Sequence, residues 1–514
     1  MSEAILGFSA PPPARVRDAA VVILYRRAGD GVETYWIKRE ATLNFAGGYY
    51  AFPGGRVDAT DGTVPMEGEV GPEVALKVAA ARELFEETGV LLARGIERVT
   101  AEQLSTARRE LLDRKATFSQ LLTRHGLTLR GADFKEAGRW ITPSFLPVRF
   151  DARFFLAEAP AHPSAEHWPG ELAEGAWIRP QDALNRWKQG SALLHPPNLF
   201  ALQTLAGFKS EEQTVALLRD PPHLPGNIPS RIEFQQGVRV FPLETPTLPP
   251  ATHTNTYVLG NGELLIVDPG SAAVRQYARL LALVAGLKAE GKRPVAVLLT
   301  HHHADHIGGA QAVAQRLSIP IWCHERTADR LGFNADRLLA DGEVISLSGL
   351  PTMKWRVVHT PGHARGHLCL VDEASRAAVV GDMVAGTGTI VIDPPEGDMT
   401  DYLEQLRRLR DLPVGVLYPA HGPALPDGPA KLAEYLRHRE MREKKVVDAL
   451  SAPAGATLQE IVLRAYDDVP PFIHPIAERS TQAILIKLGR EGRVQRKDER
   501  YLLAPVKESP PPAG

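Results

Sequence analysis

The alternation of hydrophobic and polar positions changes period several times along the chain, and each change predicts an element. An apolar run from about Ala19 predicts the first strand of a sheet. From about Pro72 an Ala-rich run predicts a helix through Arg82-Glu83-Leu84-Phe85-Glu86-Glu87-Thr88, which Gly89 terminates. Residues 97–127 are strongly charged, with Leu104, Leu111, Leu112, Leu121 and Leu122 at helical spacing. Pro221-Pro222-His223-Leu224-Pro225-Gly226 breaks the pattern and reads as a stiff linker. Val295 to Leu299 predicts a buried strand, and short apolar β-like runs also precede His363, Asp382 and His421. A long charged helix is predicted over 430–450, then helices over 457–466 and 476–489, then a basic hairpin over 494–503.

The strand ending at Leu299 leads into Thr300-His301-His302-His303-Ala304-Asp305-His306, after which Gly308-Gly309 is expected to open a helix. His301 and His303 alternate and Asp305-His306 are adjacent, so the four cannot share one helical face. They must converge from a loop at a strand end, in a nitrogen and oxygen set that suits Zn²⁺ or a similar divalent ion. His363, Asp382 and His421 follow strands in the same way. Five histidines and two carboxylates suffice for two ions sharing a bridging oxygen. A structural zinc site closes with four ligands, usually including thiolates. The excess points to catalysis, in which paired ions acidify water and polarise the bond under attack.

This ordered set resembles the metallo-β-lactamase superfamily of hydrolases over residues 239–437, which implies an αβ/βα sandwich. The resemblance implies that His301, His303 and His363 hold one metal, Asp305, His306 and His421 the other, and Asp382 bridges them. Asp305 then has a catalytic role as well, and Asp268 in Ile266-Val267-Asp268-Pro269-Gly270 supports the ligands from behind. His302 and His359 are read as neighbours of the ligands. His363-Ala364-Arg365-Gly366-His367 is similar to the glyoxalase II thioesterases, which places His367 against substrate. Gly386-Thr387-Gly388-Thr389, Tyr418-Pro419-Ala420-His421-Gly422-Pro423 and the tail look like the β-lactamase-like-2 branch, whose members include single-strand endoribonucleases. A thioester and an RNA-like phosphodiester are therefore the two candidate substrates.

In the front half, Glu83, Glu86 and Glu87 stand at i, i+3 and i+4, where like charges destabilise a helix unless a cation lies against them. Mg²⁺ or Mn²⁺ carrying a diphosphate meets that need. Arg82 to Val90, with Phe52-Pro53-Gly54-Gly55, resembles the Nudix hydrolases, which implies an α/β/α sandwich acting on nucleoside diphosphates linked to another moiety. The resemblance makes Glu83, Glu86 and Glu87 metal ligands, gives Glu86 and Glu87 the catalytic part, and puts Arg82, Gly54 and Gly55 against substrate. The box is interrupted: Gly55 lies too far upstream of Arg82, and at the spacing of Gly68 the expected Glu is Val74. Residues 58–71 read as an insertion, with Glu73 or Glu67 to replace the missing carboxylate. Interrupted boxes occur in the branch that includes peroxisomal acyl-CoA diphosphatases. Trp36-Ile37-Lys38-Arg39, Phe45-Ala46-Gly47-Gly48, Trp140-Ile141-Thr142-Pro143, 149–155, Glu171, Glu174 and Pro196-Pro197 also match it. The arginine of the CoA signature is replaced by Asn44.

Length and charge add bounds. A chain of 514 residues exceeds one core. Asp plus Glu at 61 against Lys plus Arg at 59 gives no global field towards nucleic acid or membrane. Cys323 and Cys369 stand alone without a disulfide pattern, and no window is long and apolar enough for a membrane span, so a cytoplasmic protein is expected. The expected α/β multidomain chain comprises a disordered lead (1–18), a Nudix domain (19–215), a Pro-rich linker (216–234), a metallo-β-lactamase-fold domain (235–432), a winged helix (433–505) and a disordered tail (506–514). Lys487, Arg490, Arg493, Arg496, Lys497 and Arg500 in the winged helix could meet phosphates, but interleaved acids favour packing or homodimerisation over single-stranded nucleic acid. The leading expectation is a bifunctional metallohydrolase acting on a nucleotide or CoA-type small molecule. The alternative is a Nudix-like sensor whose winged helix binds nucleic acid without catalysis. The intact ligand sets disfavour it. β-Lactam cleavage is not expected, because no export signal is read.

Overall fold

The computed structural model describes residues 14–505 apart from 42, 44, 45, 144, 145, 147, 162, 163, 169, 170, 222, 225–227, 230, 231 and 387. The readings of a disordered tail and of most of the lead, of Asn44 and Phe45, of Pro222 and the Pro225-Gly226 step, and of Thr387 fall outside those residues. The chain forms two compact units, Pro11–Val240 and Phe241–Gly514.

In the front unit, strands Tyr50–Ala51, Gly31–Arg39, Val16–Ala28, Arg149–Glu158 and Lys135–Ile141 pair in that order, with Gly54–Arg56 and Leu172–Ile178 joined at the side. Val16–Ala28 and Arg149–Glu158 run parallel from Val16↔Arg149 to Tyr25↔Glu158. Side chains of the central strand alternate between faces. Ala20, Val22 and Leu24 pack with Val78, Ala81, Leu84 and Phe85 of helix Glu73–Thr88, while Ile23 and Tyr25 pack with Ala183, Leu184, Trp187 and Leu202 on the other side. That is the expected α/β/α sandwich. Gly89 caps the helix at φ 73°, its N–H donating to Phe85 O. The charged segment forms helices Ala101–Leu112 and Phe118–His125, each opened by a Thr/Gln capping box. Leu104, Leu111, Leu121 and Leu122 are buried, whereas Leu112 faces solvent. In the inserted stretch, Met66–Glu67 pairs with Leu129–Arg130.

In the rear unit, strands Val238–Glu244, His253–Leu259, Glu263–Val267, Arg293–Leu298, Ile321–Cys323 and Arg337–Leu338 follow one another in one sheet. A second sheet comprises Val344–Leu347, Met353–His359, Leu368–Asp372, Ala377–Gly381 and Val416–Pro419. Helices Val274–Ala289 and Ala310–Leu317 cover the first sheet, and Met399–Asp411 covers the second. Gly308-Gly309 opens a helix as expected, Gly309 being the N-cap of Ala310–Leu317, and one further helical turn, Ala304–Ile307, precedes the pair. The glycines also allow close approach, since a Cβ on Gly309 would lie 2.6 Å from Ser271 O.

Helices Gly428–Ala449, Leu458–Ala465 and His474–Arg490 with strands Ala456–Thr457, Arg500–Leu503 and Val494–Lys497 make a winged helix. It shares a single hydrophobic core with the second sheet: Val380, Met383, Tyr402 and Leu406 join Leu432, Val446, Ile484 and Leu488. Among the described residues no helix is long and apolar enough to cross a membrane.

Candidate metal centres

His301, His303, His363, Asp382 and His421 lie on loops at strand ends, Asp305 and His306 in the helical turn Ala304–Ile307 that follows the first of those loops, and the two sheets bring them together. The parallel register Val267↔Leu298 sets Asp268 beside Thr300, and Leu368 N donates to Thr300 O to tie the second sheet to the same loop. His301 and His306 are fully buried, and His363, Asp382 and His421 are at most 9 % exposed. His303 Nδ1 stands 2.9 Å from His301 Nε2 and 3.0 Å from His363 Nε2. A tetrahedral ion with bonds of about 2.0 Å to nitrogen separates its ligands by about 3.3 Å, so the triad fits one ion. Asp305, His306 and His421 gather their ligand atoms within 4.8 Å of one another as a second group.

Asp382 lies between the two groups. Its Oδ2 is 3.5 Å from His363 Nε2, while Oδ1 is 3.6 Å from His306 Nε2 and 3.4 Å from His421 Nε2. His306 Nε2 and Asp382 Oδ1 are buried without a hydrogen-bond partner. Such atoms are costly unless something completes them. A divalent cation in each group does so, and the donor set fits it. Burial holds His301 well below its ordinary pKa and pushes His303 down to about 2, so both are neutral and able to ligate. Against burial, Asp382, Asp305 and Asp268 pull His306 well above its ordinary value, so the buried acids ask for a cation there.

Groups behind the ligands set the imidazole tautomers. His306 Nδ1 donates to Asp268 Oδ2 at 2.8 Å, and Thr300 Oγ1 donates to the same oxygen at 2.6 Å. With its proton committed, Thr300 Oγ1 accepts from His301 Nδ1 at 3.0 Å. One carboxylate therefore leaves Nε2 of both His301 and His306 free to ligate. Thr300 N also donates to Asp268 Oδ1 at 2.7 Å. His363 Nδ1 donates to Val391 O at 2.9 Å and His421 Nδ1 to His253 O at 3.0 Å, with the same result. Sequence reading missed Thr300, Val391 and His253, two of which act only through main-chain carbonyls that carry no side-chain signal.

His367 corrects the expectation that it meets substrate. It is fully buried, its Nε2 accepts from Asp382 N at 3.0 Å and its Nδ1 lies 2.8 Å from Thr360 Oγ1, so it braces the Asp382 turn. His302 is partly exposed, and His359 stacks on His324 at 4.0 Å, beside rather than among the ligands. A cavity of about 890 Å³ runs past Pro361 and Gly362, just before His363, and is lined by Arg365, Glu396, Ile486 and Arg490 among others.

In the front unit the box helix presents Glu83, Glu86 and Glu87 to the Phe52-Pro53-Gly54-Gly55 segment. Gly54 N donates to Glu87 Oε2 at 2.8 Å, and a Cβ on Gly55 would lie 2.5 Å from the Glu83 carboxylate, so Gly55 makes room for that acid, while a Cβ on Gly54 would strike Ala20 O of the central strand. Arg82 is also corrected: only 6 % exposed, it pairs with Asp61 at 2.9 Å, Glu83 at 2.8 Å and Glu86 at 3.3 Å. Arg82 thus offsets part of the charge of Glu83 and Glu86 and spends its donors there rather than on a ligand, while Glu87 is left without it. Asp61 of the inserted stretch, 1 % exposed, is bidentate to Arg82, a partner that sequence reading missed. Glu67 turns to Arg94 at 3.0 Å, and Glu73 lies in the first helical turn. Burial raises Glu83 to about 7 and Glu87 to about 8, and also raises Glu86. Unlike the rear residues, the three glutamates do not form a group within 4.8 Å among the described residues. Three buried or half-buried oxygen donors nonetheless fit a hard divalent cation, whose charge offsets what burial costs them.

The winged-helix cations are mostly paired within the chain. Lys487 and Arg493 share Glu443 and Glu491, Arg490 pairs with Asp398, and Arg500 with Glu460. Arg496 donates to Asp498 O, and Lys497 is exposed.

Comparison with known proteins agrees with this layout. Residues 249–421 match the family model of the metallo-β-lactamase superfamily, 63–205 that of the NUDT19 Nudix domain, and 457–501 that of the β-lactamase-associated winged helix domain. A β-lactamase-like protein 2 homolog of Caenorhabditis elegans is 31 % identical over 247 residues, covering 47 % of this chain and 80 % of its own. An atrochrysone carboxyl ACP thioesterase of Aspergillus chevalieri is 33 % identical over 251 residues, 47 % of this chain and 77 % of its own. A NUDIX hydrolase structure from Alicyclobacillus acidocaldarius aligns at 28 % identity and a TM-score of 0.37, covering 41 % of this chain and 99 % of its own. The chain therefore belongs to the metallo-β-lactamase superfamily, in the branch of the β-lactamase-like protein 2 homologues, and is a hydrolase that joins this domain and its winged helix to a Nudix domain of the NUDT19 kind.

Proposed function

We propose that the chain is a bifunctional metal-dependent hydrolase whose rear site cleaves a thioester and whose front site cleaves a nucleoside-diphosphate linkage, with an acyl-CoA-type molecule as the substrate class that offers both bonds. The observation that carries the rear half is the position of Asp382, one oxygen towards each histidine group and one of them unpartnered. Two divalent ions, Zn²⁺ or similar, would be held by His301, His303 and His363 and by Asp305, His306 and His421, with Asp382 between, and would supply Lewis acidity and an acidified water. Asp305, partly exposed at the rim, stands 3.5 Å from His421 and is placed to take a proton from the attacking water. Asp268, Val391 and His253 keep the ligating nitrogens deprotonated through the reaction, and His367 keeps Asp382 from turning away.

At the front, Glu83, Glu86 and Glu87 would hold Mg²⁺ or Mn²⁺. Glu86 and Glu87, whose burial favours the protonated form, become effective bases only with that cation against them. Gly55, where a Cβ would meet the Glu83 carboxylate, leaves room beside the acids for a diphosphate. Three observations favour a thioester over an RNA-like phosphodiester: the thioesterase-named relative, the internal pairing of the winged-helix cations, and a cavity of small-molecule size lined by Pro361 and Gly362.

The test incubates an acyl-CoA with wild type, Asp382→Ala and Glu86→Ala, each supplied with Zn²⁺ and Mg²⁺. Asp382→Ala should lose release of free acid and keep release of 3′,5′-ADP, and Glu86→Ala should do the reverse. Neither product from wild type, or an RNA cleavage abolished by Asp382→Ala, would overturn the acyl-CoA reading.

A further inference from the structure

The stretch 385–398, between strand Ala377–Gly381 and helix Met399–Asp411, supplies Val391 O, the group that orients His363. The main-chain groups on both sides of Val391 are held from the C-terminal helices. Arg439, 4 % exposed on helix Gly428–Ala449, donates from Nη2 to Ile390 O at 2.5 Å. Ser480, 6 % exposed on helix His474–Arg490, accepts from Ile392 N through its Oγ at 3.3 Å. The same helices reach the flanks: Tyr435 OH bonds Ala385 N and O, Arg479 pairs with Asp393, and Arg490 pairs with Asp398. Ile390 and Ile392 are buried in the core that these helices share with the second sheet.

We infer that the winged helix serves the rear site as a clamp: Arg439 and Ser480 are positioning residues that hold Ile390–Ile392 so that Val391 O fixes His363 with Nε2 available to a metal. This rests on the reading of His301, His303 and His363 as one metal group. A carbonyl can orient an imidazole only while its own peptide is restrained. Without the two side chains, the peptide plane turns freely and His363 samples the tautomer with its proton on Nε2. Groups that hold a ligand directly are worth about 10- to 100-fold in metal affinity, and a group one bond further back should be worth less, about 3- to 10-fold.

The experiment strips the full chain of metal and titrates Zn²⁺ against a chelating indicator, a readout independent of turnover, alongside kcat and KM on the same preparations. Ser480→Ala should weaken one of the two rear ions about 3- to 10-fold and lower kcat with KM little changed, and Ser480→Thr, which keeps the hydroxyl, should restore both. Arg439→Met should act in the same direction. If it unfolds the unit, the Ser480 pair alone decides. Lys497→Glu, on the exposed wing, should leave Zn²⁺ affinity unchanged. Wild-type Zn²⁺ affinity in Ser480→Ala, or an equal loss in Lys497→Glu, would overturn the clamp. His363→Ala separates the two readings: if it keeps both ions at wild-type affinity, the ligand assignment fails, whereas loss of an ion there with none in Ser480→Ala refutes the clamp alone.

Discussion

Replacing Asp268 by Asn tests whether one buried carboxylate governs both metal groups. The side chain is 2 % exposed and accepts from Thr300 N at 2.7 Å, Thr300 Oγ1 at 2.6 Å and His306 Nδ1 at 2.8 Å. An amide of the same shape has one acceptor and one donor end. If its oxygen stays on Thr300 N, its NH₂ faces Thr300 Oγ1 and His306 Nδ1. His306 must then move its proton to Nε2, and the Thr300 hydroxyl, no longer donating to Asp268, turns its proton on His301 Nδ1 with the same consequence. If the amide is flipped, NH₂ opposes Thr300 N–H, and a buried donor is left without an acceptor. Both orientations block a ligand or break the loop. Loss of such support costs about 10- to 100-fold in metal affinity, or about 1.4–2.8 kcal/mol per ion. Because His301 and His306 belong to different groups, Asp268→Asn should weaken both ions, measured by competition with a chelating dye on protein whose circular dichroism matches wild type. Two ions bound at wild-type affinity would refute the tautomer argument, and loss of only the ion nearest His306 would refute the part routed through Thr300.

Three further outcomes are expected from the front unit. Asp61→Ala strips the bidentate partner from a buried guanidinium and should destabilise that unit by about 3 kcal/mol in urea denaturation; a change under about 1 kcal/mol would mean that Glu83 and Glu86 hold Arg82 unaided. Gly55→Ala pushes a methyl against the Glu83 carboxylate and should lower diphosphate hydrolysis at least about 10-fold while thioester hydrolysis is kept; equal loss of both activities would indicate misfolding instead. Burial pushes the His195 imidazole down to about 4, so the unfolded chain takes up that proton first. That contribution to front-unit stability is lost as pH drops from about 6.5 to about 4, opposite in sign to the gain from the raised Glu83 and Glu87, so the Tm of His195→Phe, which keeps a ring against Tyr49 and Phe234, should rise relative to wild type over that range.

Much of the rear site was legible because its chemistry is written in residue types that few other roles require. His301, His303, Asp305 and His306 cannot share a helical face, and each remaining candidate follows a short apolar run, so their place at strand ends was open to reading. The front site was less so. Three glutamates on one helical face announced a missing positive charge, but not that the guanidinium of Arg82, adjacent in sequence, turns to two of them, Glu83 and Glu86. The carboxylate of the inserted stretch was sought at Glu67 and Glu73, while Asp61 holds the arginine, because a short 3₁₀ turn at Asp61–Thr63 points it inward. No periodicity forecasts that turn.

By itself the sequence determined which elements exist, which residue types end up at their tips, and that a Nudix and a metallo-β-lactamase domain share one chain. Period and side-chain chemistry are local properties, and local properties can be read in order along the polymer. Tertiary structure decided the rest: that Asp382 turns one oxygen to each histidine group, that His367 and Arg82 brace carboxylate-bearing segments instead of facing substrate, and that the basic winged helix spends its charges on its own chain. Those outcomes depend on strand register bringing together loops as distant as Asp268, Thr300, Val391 and His421, and on the cost of leaving a buried polar atom unpaired, which is set only when the partners meet.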